Sequence, residues 1–193
     1  MNVLRPFWII VFCVGIVVSA LAQERWQPFK LHPDVQSLKL IYDVKTRNNA
    51  PVQYGIDVRR EGEGMVRLKV ETEADLPEDQ LGVQSLFGLW NIYGISAMVF
   101  LNPGFVVFFS QLDLKVGEKM SFFGAGYAKV TGKKKVARLE GYVVEFYQQE
   151  GGSDVLKSRF VIHPKVFLPL ESTAYGTNGK VESTAVLKQA EIK

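Results

Sequence analysis

A two-residue period in hydrophobicity recurs along this chain and constrains its fold more than any other feature. Over residues 38–44, 54–58 and 66–70, apolar side chains alternate with polar or charged ones. Such alternation turns one face of a strand toward a core and the other toward water, which is typical of antiparallel sheets. Glycines and glutamates at 61–64 separate the second run from the third, and they predict a β-hairpin.

The same period returns in the second half of the chain, where turn residues again separate the runs. The predicted strands there cover 115–123, with a bend at 116–118, and then 127–131, 136–148 and 155–162. Intervening turns are predicted at the basic stretch 132–135 and at 150–154, and the glycines within 123–126 predict a bulge or a tight bend of the sheet. Pro164 and Pro169 restrict their segment to a sheet edge or a loop. The last twenty residues are polar, and they form either one more strand over 181–187 or a frayed end.

One segment has the period of a helix instead. Asp75 can cap a helix and Glu78 stands three residues later, where its side chain can reach back. An apolar stripe at helical spacing follows, formed by Val83, Leu86, Phe87 and Trp90. We therefore expect a helix over about 76–93, then a turn at 102–104 and a buried strand over 105–109. The predicted fold is mainly β (α+β): a curved antiparallel sheet or half-barrel, with one apolar helix packed on or in its concave face.

The first 22 residues have the pattern of a cleavable export signal. A short start containing Arg5 leads into an uncharged run, and small residues at Ala20 and Ala22 precede Gln23. An uncleaved membrane anchor is the alternative, because an apolar run near 18 residues can span a bilayer. The good cleavage site favours removal, leaving residues 23–193 as a single exported domain, periplasmic or secreted and most consistent with a bacterial envelope.

Composition excludes several classes of function for the exported part. The only cysteine, Cys13, leaves with the signal, so disulfides and thiolate metal sites are excluded. The remaining charges are nearly balanced, which gives no indication of a nucleic-acid partner. The two histidines, His32 and His163, stand in separate proline-flanked segments, and no catalytic or phosphate-binding motif is present. We expect no cofactor, no metal and no catalysis, although an unrecognised pair of carboxylates remains a third hypothesis for function.

The 33 residues between Asp79 and Asp113 contain no aspartate, glutamate, lysine, arginine or histidine. Most segments of a small soluble protein keep one face wet, so an uncharged run of this length needs an explanation. It can form the core beneath a covering helix, it can line an apolar ligand pocket, or residues 86–109 can span a membrane. Asn91, Asn102 and Pro103 argue against the span, because a helix break at bilayer depth leaves backbone groups unsatisfied.

The favoured hypothesis is an exported, non-catalytic protein that binds a lipid-like apolar ligand, or a membrane surface, through this uncharged segment. The predicted pocket residues are Phe87, Trp90, Tyr93, Met98 and Phe100. Three consecutive lysines, Lys133, Lys134 and Lys135, are either a solvated turn or a weak site for an anionic headgroup. In plan, the predicted architecture resembles exported lipid-handling half-barrels, in which helical segments close a curved antiparallel sheet. The alternative function is a structural or assembly factor that docks on another envelope protein.

Overall fold

The computed structural model describes residues 25–28, 30–47, 49–62, 64–74, 109–122, 124 and 126–193. Nine strands account for most of them. Their bounds are β1 Ser37–Thr46, β2 Asn49–Arg60, β3 Val66–Ala74, β4 Lys119–Phe122, β5 Gly126–Val136, β6 Leu139–Glu150, β7 Ser153–Ile162, β8 Glu171–Tyr175 and β9 Val181–Ile192.

All nine strands belong to one open sheet, in the order β3-β2-β1-β9-β8-β7-β6-β5-β4. Every neighbouring pair is antiparallel. The prediction of a mainly β, antiparallel architecture is therefore confirmed. The predicted helix over 76–93, the turn at 102–104, most of the strand over 105–109 and the export signal lie outside the described residues. Residues 181–192, which the sequence left as either a strand or a frayed end, form β9 between β1 and β8.

The sheet has an apolar core face and a charged outer face, because the strands keep the predicted alternation. In β1, the side chains of Leu38, Leu40, Tyr42 and Val44 are buried, while Lys39 and Lys45 are exposed. The register between β1 and β2 places buried apolar residues of the two strands opposite each other, so that Leu40 pairs with Ile56 and Tyr42 pairs with Tyr54. A slip by one residue would turn these side chains into water, so burial of one face fixes the register.

Irregular segments cover part of the core face. Trp26 is 1% exposed, and its indole N–H donates to the carbonyl of Val166 at 2.8 Å. The Tyr42 hydroxyl donates to the carbonyl of Pro169 at 2.9 Å, and burial raises the pKa of this phenol. Leu112 and Phe109 are buried beside them, and Phe109 makes edge-to-face contacts with two other phenylalanine rings. The segment before β1 (residues 25–28 and 30–36, called the N-terminal arm below) and the 163–170 loop thus contribute side chains to the core.

Two turns of the same sequence type hold these covering segments. In His32-Pro33-Asp34-Val35 and His163-Pro164-Lys165-Val166, the valine N–H donates to the histidine carbonyl, at 2.9 and 3.1 Å. In each turn the third residue donates its N–H to the histidine Nδ1, at 3.2 and 3.1 Å. The valine of each turn is buried. Lys165 Nζ lies 3.0 Å from Asp34 Oδ2 and joins the two turns, and it holds the pKa of Asp34 below its usual range.

The prediction of a basic turn at 132–135 is wrong. Gly132 follows a bulge after Val130, and β5 continues through the three lysines to Val136. The chain reverses at Ala137 and Arg138 instead, with φ angles of 46° and 70°. Left-handed conformations are unfavourable for residues with a Cβ atom, so the sequence Ala137-Arg138 does not predict a turn. Glycine is the usual signal for one, which is why the prediction fell on Gly132 instead.

Candidate functional site

The strongest candidate for a functional surface is the edge strand β3. It pairs with β2 and has no second neighbour among the described strands. Val66 and Leu68 are 52% and 60% exposed, although they lie on the same face of the sheet as the buried Val58 and Ile56 of the adjacent strand. The apolar core face therefore continues past its covered region and reaches solvent at this edge.

The backbone groups of β3 that face the open edge follow from the register. The N–H of Arg60 donates to the carbonyl of Gln36 on the β1 side, at 2.9 Å. Arg60 pairs with Val66 across the β2–β3 ladder, so this pair exchanges no hydrogen bonds. In an antiparallel ladder, pairs that exchange hydrogen bonds alternate with pairs that do not. The backbone N–H and C=O groups that point away from β2 are therefore those of Val66, Leu68, Val70 and Thr72.

The outer face of β3 bears charges in two blocks. Arg67 and Lys69 are followed by Glu71 and Glu73, and the side chains of Arg67, Lys69 and Glu71 are 63–70% exposed. Arg67 Nη2 lies 2.8 Å from Glu61 Oε2, and Lys69 Nζ lies 2.5 Å from Glu71 Oε1. Exposed ion pairs of this kind contribute little to stability. Their position on a free edge makes them available to select a binding partner.

A second candidate surface lies on the core face, where three hydroxyl groups are buried without a hydrogen-bond partner among the described residues. They belong to Thr46, Ser158 and Ser172. Phe160 pairs with Ser172, and Ser158 pairs with Ala174, which places the two serines diagonally on neighbouring strands. A buried hydroxyl without a partner costs about 1–3 kcal/mol. Ser158 and Ser172 are neighbours on the core face, where both could form hydrogen bonds to a polar group of a bound molecule, whereas Thr46 lies on β1, separated from β7 by β9 and β8.

The outer face of β5–β7 carries a polar network. Glu145 accepts hydrogen bonds from Arg159 Nη2 at 2.7 Å and from the Tyr147 hydroxyl at 2.8 Å. Burial, together with this bond, raises the pKa of Tyr147 to about 12. Tyr127 stacks on Tyr147 with centroids 5.1 Å apart, and Lys119 Nζ lies 3.6 Å from the Tyr127 centroid.

An open cavity of about 360 Å³ adjoins this network, and its lining includes Tyr127 and Asp154. The Tyr127 hydroxyl donates to Asp154 Oδ2 at 2.8 Å. Both faces of the Tyr127 ring and its hydroxyl group are thus already engaged. The arrangement is that of a structural network rather than of an open stacking platform.

The residues predicted as a ligand site fall outside this description. Phe87, Trp90, Tyr93, Met98 and Phe100 all lie in 75–108, beyond the described residues, so the lipid-pocket hypothesis stays a prediction. The three lysines are described, and they lie along β5. Lys134 Nζ contacts Glu171 at 2.6 Å and Lys133 Nζ contacts Glu140 at 3.1 Å, so both ammonium groups have carboxylate partners. Their role toward an anionic headgroup also stays a prediction.

The described part of the chain presents neither a cluster of metal-ligating side chains nor a membrane-spanning helix. Within it, no group of three or more histidine, cysteine, aspartate or glutamate side chains could hold a metal ion. No helix among the same residues is long and apolar enough to cross a membrane.

Comparison with known proteins gives a distant structural likeness. No protein-family model matches the chain. No curated protein matches it either. Among solved structures, the crystal structure of MucB matches with a TM-score of 0.49 and 13% identity, over 81% of this chain and 53% of that one. MucB in complex with MucA(peri) gives 0.47 and 13%, over 81% and 50%. The MucA/MucB complex of Pseudomonas aeruginosa gives 0.38 and 12%, over 81% and 51%. The chain spans about half the length of the MucB chains, and at these values the likeness assigns neither a family nor a function.

Proposed function

We propose that this protein is an exported, non-catalytic docking factor that binds an extended segment of a partner protein along the open edge of β3. The observation that carries the proposal is a nine-residue edge strand with Val66 and Leu68 exposed on the apolar side. An incoming strand would pair with the N–H and C=O groups of β3 that have no partner among the described strands, and its alternate side chains would cover the apolar row of β3. Main-chain bonds would supply affinity, and side chains would supply specificity.

The comparison of the two sheet edges supports this choice. Natural edge strands are commonly very short or are blunted by charged side chains, proline, bulges or inward-pointing charges. The charges of β3 form one basic and one acidic block, so they disfavour most strands but not one with the complementary blocks. The edge strand β4 has only four residues, and its Phe122 is buried. In contrast, β3 has nine residues, contains no proline and pairs with β2 without a register shift. It therefore keeps the features that allow pairing with another chain.

The charges of β3 specify the chemistry of the partner segment. On its outer face the segment would carry acidic residues opposite Arg67 and Lys69, and basic residues opposite Glu71 and Glu73. On the other face it would carry apolar or small residues opposite Val66, Leu68 and Val70. Such a segment alternates apolar and charged side chains, which is the pattern of an ordinary half-buried strand.

The test is site-specific photocrosslinking in the native envelope. A photoreactive amino acid at Leu68 is expected to yield an adduct of defined mass, and the crosslinked peptide should have this alternating, charge-complementary pattern. The same residue at Val181, also exposed and apolar but away from the β3 edge, is the matched control. Adducts of equal yield at both positions, or a peptide without this pattern, would refute the proposal.

A second candidate function is carriage of an amphipathic ligand on the core face, and the three buried hydroxyls that have no partner in the described part of the chain favour it. Hydroxyl groups of Ser158 and Ser172 could donate to ester or amide carbonyl oxygens, while the apolar surroundings would contact acyl chains. Mass spectrometry of an organic extract, from protein purified without detergent, tests this candidate. A defined lipid at about one per chain would support it, and an empty protein would contradict it.

A further inference from the structure

The two charge blocks of β3 are complementary to themselves. Val70 stands between the basic pair Arg67 and Lys69 and the acidic pair Glu71 and Glu73. If a second copy of β3 lies antiparallel and the pair is centred on Val70, Arg67 faces Glu73 and Lys69 faces Glu71. Two-fold symmetry repeats both contacts, so every charge on this face of the strand meets one of opposite sign.

The backbone geometry agrees with the same alignment. Val70, Leu68 and Thr72 direct their backbone groups toward the open edge, so Val70 would exchange hydrogen bonds with its own symmetry copy and Leu68 with Thr72. The charged residues then fall at the intervening pairs, which exchange no hydrogen bonds. At such positions the Cα atoms are about 4.5 Å apart and the side chains are closest. The ionic contacts would thus lie where cross-strand interaction is strongest.

Neighbouring registers are disfavoured. A shift that centres the pair on Lys69 places two ammonium groups directly opposite each other, and a shift that centres it on Glu71 does the same with two carboxylates. An odd shift sets apolar side chains against charged ones, because side chains alternate between the faces. A parallel pairing in register would bring the like charges of the two copies side by side. Repulsion in the alternatives adds specificity to the attraction in the chosen register.

The apolar face gains burial in the same arrangement. Leu68 would oppose Thr72 and Val66 would oppose Ala74, so the exposed side chains at this edge would be covered from the second copy. The apolar row formed by the buried Leu38 and Val58 and the exposed Leu68 would then meet Thr72 of the second copy. Removing apolar surface from water contributes roughly 25 cal/mol per Å².

From these observations we infer that the segment docked on β3 is the β3 strand of a second copy, which gives a symmetric dimer with one continuous sheet. The inference rests on the proposed function, since it names the partner of the same edge. A second copy is the partner because β3 itself carries the acidic and basic residues that complement its own charges.

Paired charge reversals test the inference by sedimentation velocity at micromolar to millimolar concentrations. One variant carries Arg67→Glu and Lys69→Glu, and the other carries Glu71→Lys and Glu73→Lys. Each variant alone should self-associate at least about tenfold more weakly than the wild type, because like charges then face each other at every pair. An equimolar mixture should form heterodimers with affinity restored to about that of the wild type. Far-UV circular dichroism checks that both variants keep the fold.

The results separate this inference from the proposed function. A wild-type dimer that both reversals weaken and that the mixture restores would support the inference. A wild type that is monomeric throughout, or a dimer insensitive to either reversal, would overturn it. If the Leu68 crosslink then identifies a foreign segment, the docking function stands while the homotypic partner falls. If Leu68 gives no specific crosslink and no dimer forms, both fall.

Discussion

Replacement of Trp26 by alanine tests whether the N-terminal arm belongs to the folded core. The indole is 1% exposed and donates its N–H to the carbonyl of Val166. Removal of a buried aromatic ring of this size costs about 3–5 kcal/mol. The stability of a whole domain is only about 5–15 kcal/mol, so a large part of it depends on this one contact. Phenylalanine keeps most of the ring but loses the donor, and we expect a loss of about 1–3 kcal/mol for that variant.

Urea unfolding followed by far-UV circular dichroism measures the effect, because this signal does not depend on the tryptophan that is removed. With an m-value of about 2 kcal/mol per molar urea, a loss of about 4 kcal/mol lowers the midpoint by about 2 M. Val116→Ala is the control, since Val116 is 52% exposed and its replacement should change stability by less than about 0.5 kcal/mol. If Trp26→Ala behaves like Val116→Ala, the arm does not stabilise the core and the reasoning is refuted.

Three further predictions concern single groups. Ser158→Ala should raise the free energy of unfolding by about 1–2 kcal/mol, because it removes a buried hydroxyl that has no partner among the described residues; a loss of stability in urea unfolding would mean that a bound molecule or another part of the chain satisfies the group. Gly126→Ala should lower the thermal midpoint far more than Gly124→Ala, because both have positive φ but a Cβ atom at 126 would also clash with the backbone oxygen of Tyr147; equal midpoints would contradict this. Since Lys165 lowers the pKa of Asp34 from 3.8, their interaction stabilises the fold above about pH 4 and is lost as the pH falls below it. Lys165→Met should therefore flatten the pH dependence of stability between about pH 4 and 2, and an unchanged slope would exclude this linkage.

The strands could be predicted from sequence wherever one face is buried and the other is wet. Residues 38–44 and 54–58 lie within β1 and β2 for this reason. The segments that cover the core have no alternating hydrophobic pattern that would predict their burial. Trp26 and the valines of the two His-Pro turns are fixed by individual hydrogen bonds and not by a regular strand or helix. The repeated His-Pro-x-Val sequence was the one available clue, and its meaning depends on the Asp34–Lys165 contact between the two turns.

The position of β3 at an edge could not be predicted either. Its alternating sequence has the same form as that of the central β1, and the strand order depends on pairings between distant parts of the chain. The charge blocks around Val70 acquire meaning only when the edge of β3 that faces away from β2 is known to have no further neighbour among the described strands. The predicted pocket residues from Phe87 to Phe100 lie outside the described residues and give no comparison.

The place of β9 has a consequence for the order in which the sheet can assemble. Strands β1–β3 and β4–β9 are each series of sequential antiparallel neighbours, which can form from contacts that are local in sequence. The seam between the two series is the β1–β9 ladder, where Tyr42 meets Leu187 from the far end of the chain. Closing so large a loop has a high entropic cost before any contact forms, and it slows folding. Completion of the sheet should therefore be a late and slow step, and until then the edges of β1 and β9 that later pair with each other stay open to mispairing.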